Sequence, residues 1–327
     1  MSLISAFTQA VLPVLSVAGV GYVLGVYTDT DPEPLSTVTL YVLVPALVFH
    51  SLATTEIGGG AGVRIVLVAV VLTLVMWGIS EGVAFFLSDG TKNRNGLVLA
   101  GAFPNTANYG IPLSVFAFPS VGRATAILYV VGSTVMLYTV GVYVATRDAA
   151  GSSLGAVKRV ARLPLVYAVV AGVAANAFLS IDAEVAAFET LRLVGDSSIP
   201  IMLIVLGIQL ARATPSGAVR DVALANIVRL VVAPVVAVPV VLAFGFTNPD
   251  VARVVLLEAS TPVAVSTVIL AVEFGGDVSE SGEQVRKTQT RRSLDPDYAS
   301  TAVLTTTLVS IVTVTLLIEV LRSGLLV

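Results

Sequence analysis

The sequence predicts an all-α membrane protein of ten transmembrane helices, built as two inverted five-helix repeats with broken crossing helices 4 and 9. Three observations carry this. Hydrophobic residues make up 56% of the chain and charged ones 12%, with a mean hydropathy of +0.95, whereas a soluble domain is about one-quarter charged. Ten apolar runs, bounded by turn or charge clusters, each approach the roughly 20 residues a bilayer requires. Proline-rich polar interruptions stand in the middle of the fourth and ninth runs.

Taken in order, the runs lie near 3–27, 35–53, 62–87, 95–118, 123–147, 163–181, 188–211, 219–245, 250–275 and 299–322. No Lys or Arg precedes the first, which is long enough to span, so it reads as a membrane helix rather than a cleaved signal peptide. The segments after spans 3, 5, 7 and 9 hold Lys92, Arg94, Arg147, Lys158, Arg159, Arg162, Arg212, Arg220, Arg286, Lys287, Arg291 and Arg292. The opposite side holds Arg64, Arg123, Arg192, Arg253 and Arg322. The positive-inside rule therefore predicts a multi-pass protein of the cell membrane with both termini outside and the 148–162 loop in the cytoplasm.

Span 4 contains Gly101–Leu113, GAFPNTANYGIPL. Pro104 and Pro112 should interrupt a continuous helix, because proline lacks a backbone donor and clashes with the preceding turn. Open backbone at membrane depth survives only where protein or a watery cavity satisfies it. Asn105 and Asn108 are the polar groups best placed to do so, and the pattern predicts a substrate site. The alternative is a proline-kinked helix with interhelical Asn hydrogen bonds.

The second half of the chain repeats the first. VAGV at 17–20 recurs at 170–173, Pro45 matches Pro200, the Pro104–Asn105 break matches Pro262, and TAIL at 125–128 matches TAVL at 301–304. The spacing keeps chain order and grows along the chain, the last jump reflecting the polar insertion 276–296. This divides the chain into a first repeat, 1–147, a cytoplasmic loop, 148–162, and a second repeat, 163–327. Five spans per repeat is odd, so the second copy is inverted in the membrane.

The matching break in span 9 lies in Glu258–Gly276, where Thr261 and Pro262 resemble an N-cap and first helical position. At 1.5 Å per residue, Asn105 and Pro262 lie about 15 and 18 Å from their respective ends, close to the midplane. Two breaks meeting there aim two half-helix N-termini at one point, which favours an anionic group. No Lys or Arg lies within either break, so anion binding is expected to rest on amide donors and dipoles. The candidate substrate contacts are Asn105, Thr106, Asn108, Tyr109, Gly110, Pro112, Thr261, Pro262 and Ser266, with Gln209 reaching in from span 7.

Intramembrane ionisable groups are costly and hence functional candidates. Glu258, one turn before the second break, and Glu81, in span 3, are candidates for ion coupling. Glu81 and Arg229 are also expected to form a structural pair, and His50 to be a packing residue. The sequence holds no cysteine and a single histidine, which removes thiolate metal sites and an HExxH zinc centre. An intramembrane serine protease would need a Ser–His pair in a motif such as GxSG, which is missing. No cofactor, metal or nucleic-acid partner is predicted. The insertion 278–292 is expected to be a dispensable cytoplasmic loop.

The motifs PNTANYGIPL, SSIPIMLIVLGIQLA and DPDYASTAVLTTTLVSIVTV, in this order and spread over essentially the whole chain, resemble those of the auxin efflux carrier family, in its microbial, short-loop form. Two departures are Pro104 in place of the motif's first glycine and the longer insertion before Asp297. The resemblance implies ten helices related to bile acid/sodium symporters and sodium/proton antiporters, and an elevator-type secondary transporter. Spans 1, 2, 6 and 7 would form a scaffold and homodimer contact, and spans 3–5 and 8–10 the moving part. The expected partners are the lipid bilayer and a small organic anion, a carboxylate, with the proton favoured as coupling ion because hard oxygen ligands are sparse. A sodium-coupled symporter of the bile-acid type is the alternative.

Overall fold

A computed structural model describes residues 3–54, 60–87, 93–147, 164–178, 185–213, 219–274 and 294–326. The loop 148–162 and the insertion 278–292 lie outside the described residues. Everything regular among them is helical, apart from one isolated antiparallel bridge between Pro104 and Val263. Among the described residues, seven helices are long and apolar enough to cross a membrane. These are α1 (Leu3–Tyr27), α2 (Pro32–Thr54), α3 (Ala61–Leu87), α6 (Gly122–Thr146), α8 (Ala186–Arg212), α9 (Val219–Phe244) and α12 (Pro296–Arg322). The shorter helices are α4 (Arg94–Ala102), α5 (Ile111–Ala117), α7 (Pro164–Phe178), α10 (Pro249–Ala259) and α11 (Ser266–Phe274).

Local chemistry explains the helix ends. α2, α10 and α12 each open with an Asx residue followed by proline. Asp31, Asn248 and Asp295 accept the backbone N–H of Glu33, Asp250 and Asp297 at 3.0, 2.9 and 3.0 Å. The side-chain oxygen satisfies an orphan donor, and proline, at the first helical position, has no N–H to leave unpaired. α9 stops at Gly245, whose φ of +59° only glycine adopts at no cost. Its carbonyl accepts from Arg64 Nη1 at 3.0 Å, fastening the start of α3 to the end of α9.

The helices pack as two groups. α1 lies along α8, and α2 against α7 and α8. α3, α4, α5, α6, α9, α10, α11 and α12 pack among themselves, most extensively α3 on α6. The α1–α8 contact depends on reciprocal glycines: a Cβ on Gly21 would overlap the Ile204 backbone, and one on Gly207 would overlap Ala18 and Tyr22 backbone atoms. Helices that approach this closely gain van der Waals contact, the main attraction left where lipid removes the hydrophobic one. The outward faces of α1, α2 and α7 expose Val20, Val23, Tyr41, Val170 and Val173.

Five stretches of wider π-helical turn occur among the described residues: Phe7–Val11 in α1, Thr39–Leu43 in α2, Thr106–Gly110 leading into α5, Leu137–Gly141 in α6 and Val228–Val232 in α9. Such turns are rare and gather at functional sites.

Candidate functional site

α4 ends at Ala102, helix resumes at Thr106, and residues 103–105 between them are non-helical. Likewise α10 ends at Ala259 and α11 begins at Ser266. The two open segments run antiparallel: Asn105 N–H donates to Pro262 O at 2.7 Å and Ala264 N–H to Phe103 O at 3.0 Å. Val263 N–H donates to Thr306 Oγ1 of α12 at 3.1 Å. Each interruption thus supplies the backbone partners that the other lacks, which is what apolar surroundings demand. Proline explains why helix cannot simply continue through 104 and 262.

A cavity of about 150 Å³ opens beside this bridge, at the seam between the two helix groups. One wall comes from α2 (Ser36, Thr39, Leu40, Val44) and α8 (Met202, Val205, Gln209). The other comes from Phe103–Asn108, from Val130, Ser133, Thr134, Leu137 and Tyr138 of α6, and from Ala264, Val265, Ser266 and Ile269. The first residues of the helical stretches starting at Thr106 and Ser266 are therefore on the wall, so their positive dipole ends face the cavity. Among the described residues no charged side chain lines it.

Of the ten residues predicted to bind substrate, Asn105, Thr106, Asn108, Gln209 and Ser266 are brought together here. Asn105 is buried with Nδ2 lacking any partner, and Gln209 Oε1 is also unpaired. Thr106 Oγ1 and Ser133 Oγ share a hydrogen bond of 3.2 Å. The other five do not line the cavity. Tyr109 turns towards α12, where its hydroxyl accepts from Ser310 Oγ at 3.2 Å. Gly110 packs on the Glu258 carboxyl so closely that a Cβ would overlap it. Pro112 and Thr261 are buried in the packing, the Thr261 hydroxyl donating to Glu258 O at 2.9 Å, and Pro262 contributes its carbonyl to the bridge.

The ionisable groups fall differently from expectation. Glu81 does not pair with Arg229. It accepts from Trp77 Nε1 at 3.1 Å, from Arg94 at 3.4 Å and from Arg147, whose guanidinium also holds Asn95 Oδ1. Arg229 instead reaches the meeting point of the two interruptions, donating to backbone carbonyls of Gly101, Ala259 and Thr261. The absence of Lys and Arg from the breaks themselves therefore does not mean that no cation stands there. Glu258 is fully buried in the last turn of α10 and off the cavity wall. Ser114 Oγ donates to its Oε1 at 2.7 Å, while Oε2 has no partner.

Sequence reading missed the α6 wall. Its signal was present: Val130, Ser133, Thr134, Leu137 and Tyr138 recur at helical spacing, and Ser36, Thr39 and Leu40 do so on α2.

Residues 6–155 and 156–286 match the family model described as "Membrane transport protein". The chain is 29% identical over 281 residues to an uncharacterized transporter of Methanothermobacter thermautotrophicus, covering 83% of this chain and 90% of that one. It is 25% identical over 329 residues to a Rhizobium meliloti protein named "Putative malonate transporter", covering 97% and 96%. An uncharacterized transporter of Methanocaldococcus jannaschii is 22% identical over 280 residues, with 83% and 90% covered. With interrupted helices beside a cavity and a family match along most of its length, this multi-pass membrane protein belongs to the membrane transport protein family, that of the auxin efflux carriers.

Proposed function

We propose that the protein is a secondary active carrier that moves a small organic anion, a carboxylate, across the cell membrane by an elevator-type mechanism. The observation that carries this is the cavity at the seam between the two helix groups, bounded by two helix starts and by uncharged donors. Dipole ends and the unpaired Asn105 Nδ2 donor suit a carboxylate without trapping it, since no side-chain cation binds it directly. Its volume is half or less of the roughly 300–1,000 Å³ that drug-sized ligands occupy, which favours a ligand as small as malonate.

In this reading the chain has ten membrane segments in two inverted repeats, 1–147 and 163–327, joined by a cytoplasmic loop, 148–162. α4 with α5 and α10 with α11 are the broken crossing helices 4 and 9. α1, α2, α7 and α8 form a fixed scaffold and homodimer contact, and the remaining helices move. The cavity walls come from the start of α2, the later halves of α6 and α8, and the two breaks at 103–108 and 264–269, and the α2, α6 and α8 walls lie towards the side that the basic loops assign to the cytoplasm. Both termini are then outside and the cavity is open inward.

The proton is the coupling ion in this reading, with Glu258 as its site, because the orphan Oε2 is where a proton is held and because Arg147 and Arg94 engage Glu81. Uptake of labelled mono- and dicarboxylates into proteoliposomes, under imposed proton or sodium gradients, tests the reading. Asn105→Ala and Asn108→Ala should each weaken apparent affinity or rate by about 1–3 kcal/mol, roughly 5–150-fold. Accumulation of an organic cation, or unchanged transport in both Asn variants, would overturn the carrier reading; uptake that requires sodium would overturn its proton coupling alone.

A further inference from the structure

Arg229 is the largest side chain wholly enclosed by the protein among the described residues. It projects from the π-helical turn Val228–Val232 of α9 and forms no ion pair with any described carboxylate. An enclosed charge survives only where its donors are satisfied, and here all three guanidinium nitrogens bond to backbone carbonyls. Nε donates to Thr261 O at 3.0 Å, Nη1 to Gly101 O at 3.2 Å and Nη2 to Ala259 O. Gly101 lies in the last turn of α4, Ala259 ends α10, and Thr261 follows it. One planar, forked cation therefore closes the C-terminal ends of two separate helices, a geometry that lysine's single ammonium cannot span.

The consequence is electrostatic. Each helix end carries roughly half an elementary charge, negative at the C-terminus and positive at the N-terminus. Within each interruption a negative end and a positive start are separated by only a few residues, 103–105 in one and 260–265 in the other. Left alone, the two pairs would largely cancel at the cavity. A guanidinium on the two negative ends removes them from that balance and leaves the two positive starts unopposed. Pro104 lines the substrate cavity and also a void of about 10 Å³ against Arg229 and Tyr129, so the charge stands directly behind the cavity wall. Carbonyls gathered from helix C-terminal ends are also the ligands with which discontinuous helices hold a coupling sodium ion.

We propose that Arg229 is a tethered counter-cation, holding the place that a sodium ion would take and making the cavity selective for anions without sodium. This rests on the anion-carrier reading above and adds a positioning residue that does not itself touch the substrate.

The test is uptake of labelled malonate into proteoliposomes made in sodium chloride or in choline chloride, with the wild-type chain, Arg229→Lys and Arg229→Ala. Wild-type rates should agree between the two salts. Arg229→Lys, which keeps the charge, should stay within about tenfold of wild type. Arg229→Ala should lose more than that, and free guanidinium or sodium should restore part of the loss by entering the space left. Elution profile and thermal unfolding establish which variants are folded. Should Arg229→Ala not fold, the Lys variant and the wild-type salt comparison still decide. Sodium-dependent wild-type uptake, a folded Lys variant that is inactive, or a folded Ala variant as active as wild type overturns the inference and leaves the carrier reading standing. If the wild-type chain takes up no organic anion at all, the carrier reading fails and the inference falls with it.

Discussion

Asn105 shows how one residue joins structure to function. Its N–H and C=O hold Pro262 and Gly110, at 2.7 and 3.0 Å, while its side-chain amide is left for the cavity. Replacing the side chain should therefore spare the fold and weaken transport. Glu258 presents the complementary case, a buried carboxyl with one oxygen held by Ser114 and the other by nothing. Glu258→Gln keeps the shape of the protonated acid and should retain malonate exchange between equal solutions while losing accumulation driven by a pH gradient. Full accumulation by that variant would remove Glu258 from the coupling step. The place of Asn105 and Asn108 on the cavity wall was legible because two asparagines between prolines are conspicuous in an apolar span. The roles of Glu81 and Arg229 were not, because a long charged side chain chooses its partner in three dimensions. Glu81 found Arg147, 66 residues away, and Arg229 found carbonyls 30, 32 and 128 residues away.

At the scale of elements, the irregular turns matter as much as the helices. Residues of three π turns line the cavity, Thr39 and Leu40, Thr106–Asn108, and Leu137 with Tyr138, and a fourth π turn delivers Arg229. A π turn shifts the helical register locally, so it rotates a few polar side chains inward without ending a span. The α1–α8 contact is the opposite kind of element, tight and regular. Gly207→Leu must push its side chain into the α1 backbone, and should lower stability by about 1–3 kcal/mol. Thermal unfolding in detergent measures this. An unchanged melting temperature would show that the two helices have room to separate. Proline positions foretold where the two crossing helices break, but no local signal foretold the π turns, three of which sit between residues of ordinary helical φ and ψ.

The whole molecule is two packed groups with the candidate site between them, and a carrier that works by sliding one group past the other must break contacts at the seam. The ion pair between Arg123 of α6 and Asp196 of α8 is one such contact. The chain has no cysteine, so cysteines at 123 and 196 can be joined cleanly by a reducible bifunctional reagent. The linked protein should be inactive, and reduction should restore transport; undiminished transport by the linked form would rule out relative movement at this point. Cysteine placed at Ser153 should be labelled only from the cytoplasmic side, and at Ser2 only from outside. The reverse pattern would invert the orientation and turn the cavity to face outward.

What the sequence determined by itself is the part ruled by composition and short-range backbone chemistry. Apolar run lengths marked the seven helices, among the described residues, that are long and apolar enough to cross a membrane, and prolines 104 and 262 marked the two interruptions, because each depends on residues within a few positions of one another. The motifs also identified the family. Tertiary structure alone decided which face of each interruption meets the cavity, sending Asn105, Thr106 and Asn108 inward and Tyr109 and Gly110 into the packing. It decided that Ser36, Thr39, Ser133 and Tyr138 complete the wall, and that a cation from α9 closes the ends of α4 and α10. These are long-range matters of direction and partner, and where most residues of every span are apolar the hydrophobic pattern is too uniform to point them out. Only the packing of helices, and the need to satisfy every buried donor and acceptor, makes those choices.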